Sequence, residues 1–355
     1  MKIRHNIYIS IVALIFSLTV FLGTLYNFEL SKVSNDSTLK KIVIEKGSID
    51  SIAVTLYKNH LIRSKFAFKL YVRLHKNNKL MAATYNLSED MGSRKIADIL
   101  HKGKKIDDDI KITFKEGINM RVIASIISKE TNNSEDDVYN LLQDDEYLDE
   151  IIAKYWFLDD DIKNKNIYYS LEGYLYPNTY NFSSVDSSVR EIFAQMLDET
   201  NRQLSKYKEV ISKNSFSIHE VMTLASIVEL EGTTLEERKK IAGVFINRLN
   251  NNMNLGSDVT TYYGAKVDMG KRDLYSEEVA ECNSYNTRCA TFKKLPISPI
   301  CNSSIEAIDA VLNYDKNDYF YFVADKNKKI YFSKTQLEHS NTINKLKRSD
   351  LWYEY

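Results

Sequence analysis

At 355 residues the chain is long enough for two or three domains with ordinary cores, and 44% hydrophobic against 27% charged residues is the balance of a folded protein, not a disordered one. Lys plus Arg and Asp plus Glu each number 48, so there is no basic excess to hold a phosphate backbone, which argues against nucleic acid as a partner. The 24 tyrosines can serve as carbohydrate-stacking platforms or simply fill β-rich cores.

Residues 1–6 form a short tail, and residues 7–26 carry no charge. About 20 helical residues span roughly 30 Å of hydrocarbon, so this run reads as a transmembrane anchor. Phe21-Leu-Gly-Thr-Leu-Tyr-Asn27 is a poor cleavage site, which favours a retained anchor over a removed signal. The cations on the two sides, Lys2 and Arg4 against Lys32, Lys40 and Lys41, do not decide the orientation, but the very short tail places the rest of the chain outside the cytoplasm. Residues 27–40 are a polar connector.

Residues 41–105 read as a small α+β module: a strand at 41–46 closed by Gly47, a helix with Ile49, Ile52, Ala53 and Leu56 on one face, a second helix over 63–74, a strand over 82–87, and a helix from Ser93 to Leu100 ending near Gly103. A strand at 110–114, Gly117 and a helix through Val122, Ile123 and Ile126 then echo its start, opening a larger mixed α/β region over 106–355. The acidic runs between 134 and 165 read as solvated surface. Leu171-Glu-Gly-Tyr-Leu-Tyr-Pro-Asn-Thr-Tyr180 is a fixed aromatic loop, able to wall a sugar groove or to act as a structural plug.

Ser217 with Glu220 is a capping-box start, and Gly232 is suited to end that helix in a left-handed turn. Val221, Leu224, Ala225 and Val228 form an apolar stripe, widened by Ile218 and Met222, and Glu229 falls inside it while Glu231 lies at the opposite edge. A carboxyl on a core-facing arc loses hydration and its pKa rises towards the range of a general acid, which makes Glu229 a candidate proton donor; the alternative is an ion pair with a Lys or Arg of a neighbouring helix. Thr234 with Glu237 begins a second helix carrying Ile241, Ala242, Phe245 and Leu249, and Leu255 to Gly264 follows as a hydroxyl-rich stretch. Cys282 and Cys289 can close a small loop with Cys301 left over, or all three can be free thiols. Residues 319–323 and 329–332 read as a closing hairpin, and neither Cys-x-x-Cys nor His-Glu-x-x-His spacing occurs, which argues against a metal site.

The segments 171–180, Ala225-Ser-Ile-Val-Glu-Leu-Glu231, Val244-Phe-Ile-Asn-Arg-Leu249, Ser284-Tyr-Asn-Thr287, Tyr321-Phe-Val-Ala-Asp325 and Phe332-Ser-Lys-Thr-Gln-Leu-Glu-His339, in this order, resemble the endolytic murein transglycosylase family, the MltG-like or YceG-like proteins. The resemblance implies a single-pass anchor in the bacterial cytoplasmic membrane, a LysM-like module at 41–105 and a catalytic domain at 106–355 on the outer side. It implies cleavage of the MurNAc–GlcNAc bond within peptidoglycan strands to leave 1,6-anhydro ends, without metal or organic cofactor, beside cell-wall synthases and the elongation or division machinery. The family's catalytic glutamate is placed on Glu229, with Glu231, Asn247, Asp258, Thr260, Tyr263, Asn286, Glu172 and Tyr176 as candidates for holding substrate. Lys294-Leu-Pro-Ile-Ser-Pro-Ile300 and Gly256-Ser-Asp-Val-Thr260 depart from the family's usual loops and bear on groove shape. A muramidase using Glu231 or Asp258 to activate water, and a non-catalytic wall-binding scaffold, are the competing functions.

Overall fold

The computed structural model describes residues 2–75, 79–103 and 110–352, with side chains from residue 14 onward apart from residue 15. The chain divides into two compact units, residues 1–110 and 111–355. The domain boundary expected between 105 and 106 falls within 104–109, outside the described residues.

The first unit begins with helix α1 (Lys2–Glu29). Among the described residues no helix is long and apolar enough to cross a membrane; the uncharged run 7–26 extends over side chains that are not among those described. Strand β1 (Lys40–Ile44), helices α2 (Ile49–Lys58) and α3 (Lys65–His75), strand β2 (Ala83–Leu87) and helix α4 (Gly92–Lys102) follow in the order expected from the hydrophobic periodicity. Ser48 caps α2 by accepting the Ser51 N–H at 3.2 Å. The two strands pair antiparallel with Ile42 opposite Tyr85. Because side chains alternate across a strand, Ile42, Ile44, Tyr85 and Leu87 all point to one face, where they bury Ile52, Leu56, Phe68, Val72, Ile96 and Leu100.

In the second unit, strand β3 (Ile110–Thr113) pairs with β4 (Thr179–Phe182). Between them lie helices α5 (Met120–Glu130), α6 (Glu135–Leu141) and α7 (Asp145–Lys154). The acidic run expected to be plain solvated surface also builds helix starts. Asp137 closes a capping box with Ser134 and Asp144 caps α7, where carboxylates meet the positive ends of the helix dipoles. Helices α8 (Val189–Leu204), α9 (Lys208–Ser212), α10 (Ile218–Glu231), α11 (Leu235–Asn250), α12 (Asp258–Gly264), α13 (Ser276–Ala280) and α14 (Ile305–Leu312) continue the chain. Strands β5 (Tyr321–Ala324) and β6 (Ile330–Ser333) form the closing hairpin, and α15 (Gln336–Arg348) packs on it. Among the described residues the strands occur only in two-stranded pairs, so the unit is helical with small two-stranded ribbons, not a layered sheet.

The core of this unit is α10, packed against α11, α12 and α14. Every side chain from Val221 to Glu229 is buried. A helix that is apolar nearly all round sits inside a protein, not at its edge, so the single core-facing stripe expected from the sequence does not exist. Gly232 also departs from expectation: its φ is −119° and ψ 147°, extended and not left-handed. What requires glycine there is space, since a Cβ would stand 2.9 Å from Arg238 Cγ and 3.1 Å from Ile241 Cδ1.

Candidate active site

Helix α10 ends with two carboxyls two residues apart, about 200° around the axis, and the helices packed against it give them opposite surroundings. The side chain of Glu229, 6% exposed, meets Arg238 of α11, 8% exposed: the guanidinium Nη2 donates to Glu229 Oε1 at 2.7 Å. The other oxygen accepts from the Ser304 N–H at 3.0 Å and the Ser304 hydroxyl at 2.5 Å. Ser304 is the N-cap of α14, so Glu229 ties the start of α14 to Arg238 of α11. Arg238 is itself closed off by the Gly232 carbonyl at 3.1 Å and by Ser304 Oγ at 3.0 Å. This is a satisfied, buried network.

Glu231, half-buried, has a different set of neighbours. The Ser257 hydroxyl, at the N-cap of α12, donates to its Oε1 at 2.5 Å. Burial pushes the Glu231 carboxyl up to about 7; the Ser257 hydrogen bond opposes this, Asp258 adds to it, and Arg288 and Arg248 oppose it more weakly. The result is a carboxyl that holds a proton near neutrality while remaining reachable from solvent.

Ser257 is kept in place by the segment 282–289. Thr287 Oγ1 accepts its N–H at 3.0 Å, the Thr287 carbonyl accepts the Gly256 N–H at 3.0 Å, and Thr260 Oγ1 donates to the Ser257 carbonyl at 2.7 Å. Asn286 accepts from the Thr261 hydroxyl at 2.9 Å and donates to the carbonyls of Val279 and Glu281 at 3.0 and 2.6 Å. A disulfide between Cys282 and Cys289 closes that segment on itself, and Cys301 is a buried free thiol. Asp258 pairs with Arg288 at the solvent edge. Among the described residues no group of three or more His, Cys, Asp or Glu side chains is placed to hold a metal ion.

A model of the YceG-like family matches residues 42–345. The chain belongs to the YceG-like family. It is 36% identical over 319 residues to an endolytic murein transglycosylase of Bacillus subtilis, covering 89% of this chain and 87% of that protein. A pneumococcal endolytic murein transglycosylase is 30% identical over 358 residues; the match takes in 93% of this chain and 64% of the length of that relative. The fold matches the crystal structure of a YceG-like protein of Listeria monocytogenes with a TM-score of 0.62 and 32% identity, over 86% of this chain and 99% of that one.

In this YceG-like chain the nine residues selected from sequence do not converge on one cleft. Glu231 and Asp258 come together at the Ser257 turn, and Glu229 lies behind them in its ion pair. Thr260 and Asn286 are fully buried and hold the turn from inside, so they support the site and do not line it. Asn247 donates to the carbonyls of Asn317 and Tyr319 at 2.8 and 2.9 Å, which places it in the anchoring of the chain before β5. Glu172 and Tyr263 are buried against one another: the Tyr263 hydroxyl donates to Glu172 at 2.9 Å, as does the Met120 N–H at 2.9 Å, and burial pushes Glu172 up to about 7. The aromatic loop is therefore a plug at Glu172 and Tyr174, while Tyr176 stays partly accessible. Arg238 and Ser304 close Glu229, and Ser257 and Thr287 hold Glu231; the sequence carried Ser257 and Thr287 inside motif segments and left an ion pair for Glu229 open, but gave no signal for Arg238 or Ser304 as the partners.

Proposed function

We propose that this chain is a membrane-anchored endolytic murein transglycosylase that uses Glu231 as its single acid and base. The observation that carries this reading is the proton-holding, solvent-reachable carboxyl of Glu231 beside the closed Glu229–Arg238 pair. In the first half of the reaction Glu231 donates its proton to the glycosidic oxygen as the bond from C1 of N-acetylmuramic acid breaks. The C6 hydroxyl of the same sugar forms the new bond to C1 and passes its proton to the Glu231 carboxylate. The products are a free 4-hydroxyl on N-acetylglucosamine and a 1,6-anhydro end, and the enzyme is returned to its starting state. No water is consumed, so one carboxyl does what a hydrolase divides between two.

The same reading assigns unit 1 as the LysM-like module that positions the glycan, and α1 as the anchor in the bacterial cytoplasmic membrane. Leu14, Phe16 and Phe21 on α1 are 71, 69 and 61% exposed, large apolar side chains that a bilayer would cover. The Cys282–Cys289 bridge supports an oxidising compartment for the catalytic unit, outside the cytoplasm, where synthases and the elongation or division machinery supply strands.

The test is an incubation of the full chain with purified peptidoglycan and mass spectrometry of the soluble products. Anhydro-muramyl ends are expected throughout. Reducing muramic ends in their place mean hydrolysis and overturn the transglycosylase assignment.

A further inference from the structure

The connector expected over residues 27–40 is not a free linker. Helix α1 runs on to Glu29, Leu30 is buried, and the first unit grips the residues that follow. The Ser93 N–H donates to the Leu30 carbonyl at 3.1 Å. Arg63 donates to the carbonyls of Lys32 and Val33 at 2.9 and 3.0 Å, and its guanidinium carbon stands 4.7 Å from the centre of the Phe28 ring. Gly92, with φ +70°, lies so close to this stretch that a Cβ would meet Lys32 N at 3.2 Å and the Leu30 carbonyl oxygen at 3.3 Å. Arg94 donates to Asn27, and Tyr26 interacts electrostatically with Arg94 and with Tyr71 of α3. The unit is therefore fixed to α1 by contacts that begin at residue 26, where the uncharged run ends.

Helix α3 starts two residues after Arg63 and reaches Tyr26 through Tyr71, so it lies beside the end of that run. Phe68 and Val72 are fully buried in the core of the unit. Phe66, Leu70 and Leu74 recur every four residues on the side away from that core, about 160° round the helix from both Phe68 and Val72 at Leu70. Phe66 and Leu74 are 71 and 65% exposed. Lys65, Lys69 and Arg73 form a second row, about 100° round the helix from this ridge. Lys69 is paired with Asp50 at 2.5 Å, while Lys65 and Arg73 are exposed. An apolar ridge bordered by cations is the pattern of a helix that lies in a bilayer interface. The charge balance agrees: residues 27–110 carry 16 Lys and Arg against 10 Asp and Glu, whereas residues 111–355 carry 30 against 38, an asymmetry that the neutral total conceals.

We infer that α3 lies in the membrane interface, with Phe66, Leu70 and Leu74 at the level of the upper acyl chains and Lys65 and Arg73 on the phosphates of anionic phospholipids. The inference rests on α1 being the anchor proposed above and goes beyond it: a second point of contact stops the first unit from turning about the axis of α1. An anionic polymer would engage the cations but would leave Phe66 and Leu74 in water, so the apolar ridge favours a lipid surface.

The test is the full chain carrying Phe66→Trp, a change on an exposed side chain that leaves the core untouched, reconstituted in vesicles whose acyl chains are brominated. Trp156 and Trp352, both in the second unit, give the background, measured on the unaltered chain. In vesicles containing phosphatidylglycerol the added tryptophan is expected to lose about half or more of its emission beyond that background. Lys65→Gln and Arg73→Gln are each expected to lower the ratio of docked to undocked chains about fivefold, and phosphatidylcholine vesicles to lower it further. A chain that stays with the vesicles through an alkaline wash while the added tryptophan is quenched no more than background overturns the inference and keeps the anchor. Quenching equal in the two kinds of vesicle overturns it too, because the cations then do nothing. So does an unquenched chain whose Lys65 and Arg73 bind soluble poly(glycerol phosphate), which assigns the patch to a polymer. Quenching as expected in a chain that the alkaline wash releases keeps the α3 contact and overturns α1 as the anchor.

Discussion

Arg238 on α11 holds Glu229 on α10 at 2.7 Å with both side chains out of solvent, and Ser304 at the start of α14 closes the remaining carboxylate oxygen. This pairing joins three helices through the residue whose helical position marked it as a buried acid. Glu231, whose helical position marked it at the opposite edge of the stripe, is half-buried and accepts from the Ser257 hydroxyl.

Replacement of the two glutamates by glutamine should therefore divide rate from stability. Glu231→Gln is expected to lose at least about 10²-fold in rate, the usual worth of a general acid, with an unchanged melting curve. Glu229→Gln is expected to leave Arg238 buried without its counter-charge and to lower stability by about 3 kcal/mol, while the folded fraction stays active. Initial rates on glycan strands with thermal melts as control decide between them; an inactive, fully stable Glu229→Gln returns the acid role to Glu229.

The pH profile follows from the direction of the Glu231 shift. The acid must be protonated to act, so the rate should fall as pH rises past about 7. Ser257 donates to the carboxylate and so favours its ionised form; removing the hydroxyl in Ser257→Ala should raise the pKa and move the descending limb to higher pH. Stability has the same sign: between the unfolded carboxyl value of about 4.3 and the folded value near 7 the native state keeps a proton that the unfolded chain has lost, so this group's contribution is present at low pH and lost across that window. A descending limb that stays put in Ser257→Ala removes Glu231 as its origin.

Arg238→Met should be among the more damaging substitutions in the second unit. It strips the cation from a buried carboxylate, and breaking such a pair typically costs about 3–5 kcal/mol. Ser304→Ala, which removes one of the two Ser304 bonds to Glu229 and the α14 cap, should cost about 1–2 kcal/mol. Denaturant midpoints measured for both, compared with the double variant Arg238→Met/Glu229→Met, test the network: the double variant should recover part of the loss because no lone charge remains.

Reduction of Cys282–Cys289 should loosen the segment that fixes Ser257 through Thr287. Opening a loop of that size is worth about 2 kcal/mol of stability. The rate should fall as well, by less than in Glu231→Gln, since the acid remains but its hydrogen-bond partner is less well held. Melting and initial rates with and without reductant read both, and an unchanged rate after complete reduction shows that Thr287 keeps Ser257 in place unaided.

Much of the architecture was legible from local pattern. The βααβα order of the first unit, the capping boxes at Ser217 and Thr234 and the hairpin around Asp325 follow from periodicity of two or 3.6 and from side chains that bond their own backbone within three residues, which are short-range matters. The order of motifs was enough to place the chain in its family. The surroundings of the two glutamates were not legible, because a stripe on a helical wheel says which arc is apolar but not how many helices surround it. α10 is enclosed from Val221 to Glu229, so the environment of Glu229 is set by Arg238, nine residues on, and by Ser304, seventy-five residues on. The environment of Glu231 is set by Ser257 and by the bridged segment behind it. Hydrogen bonding and desolvation act over a few ångströms, and only the tertiary fold decides which residues distant in the chain fall within that range.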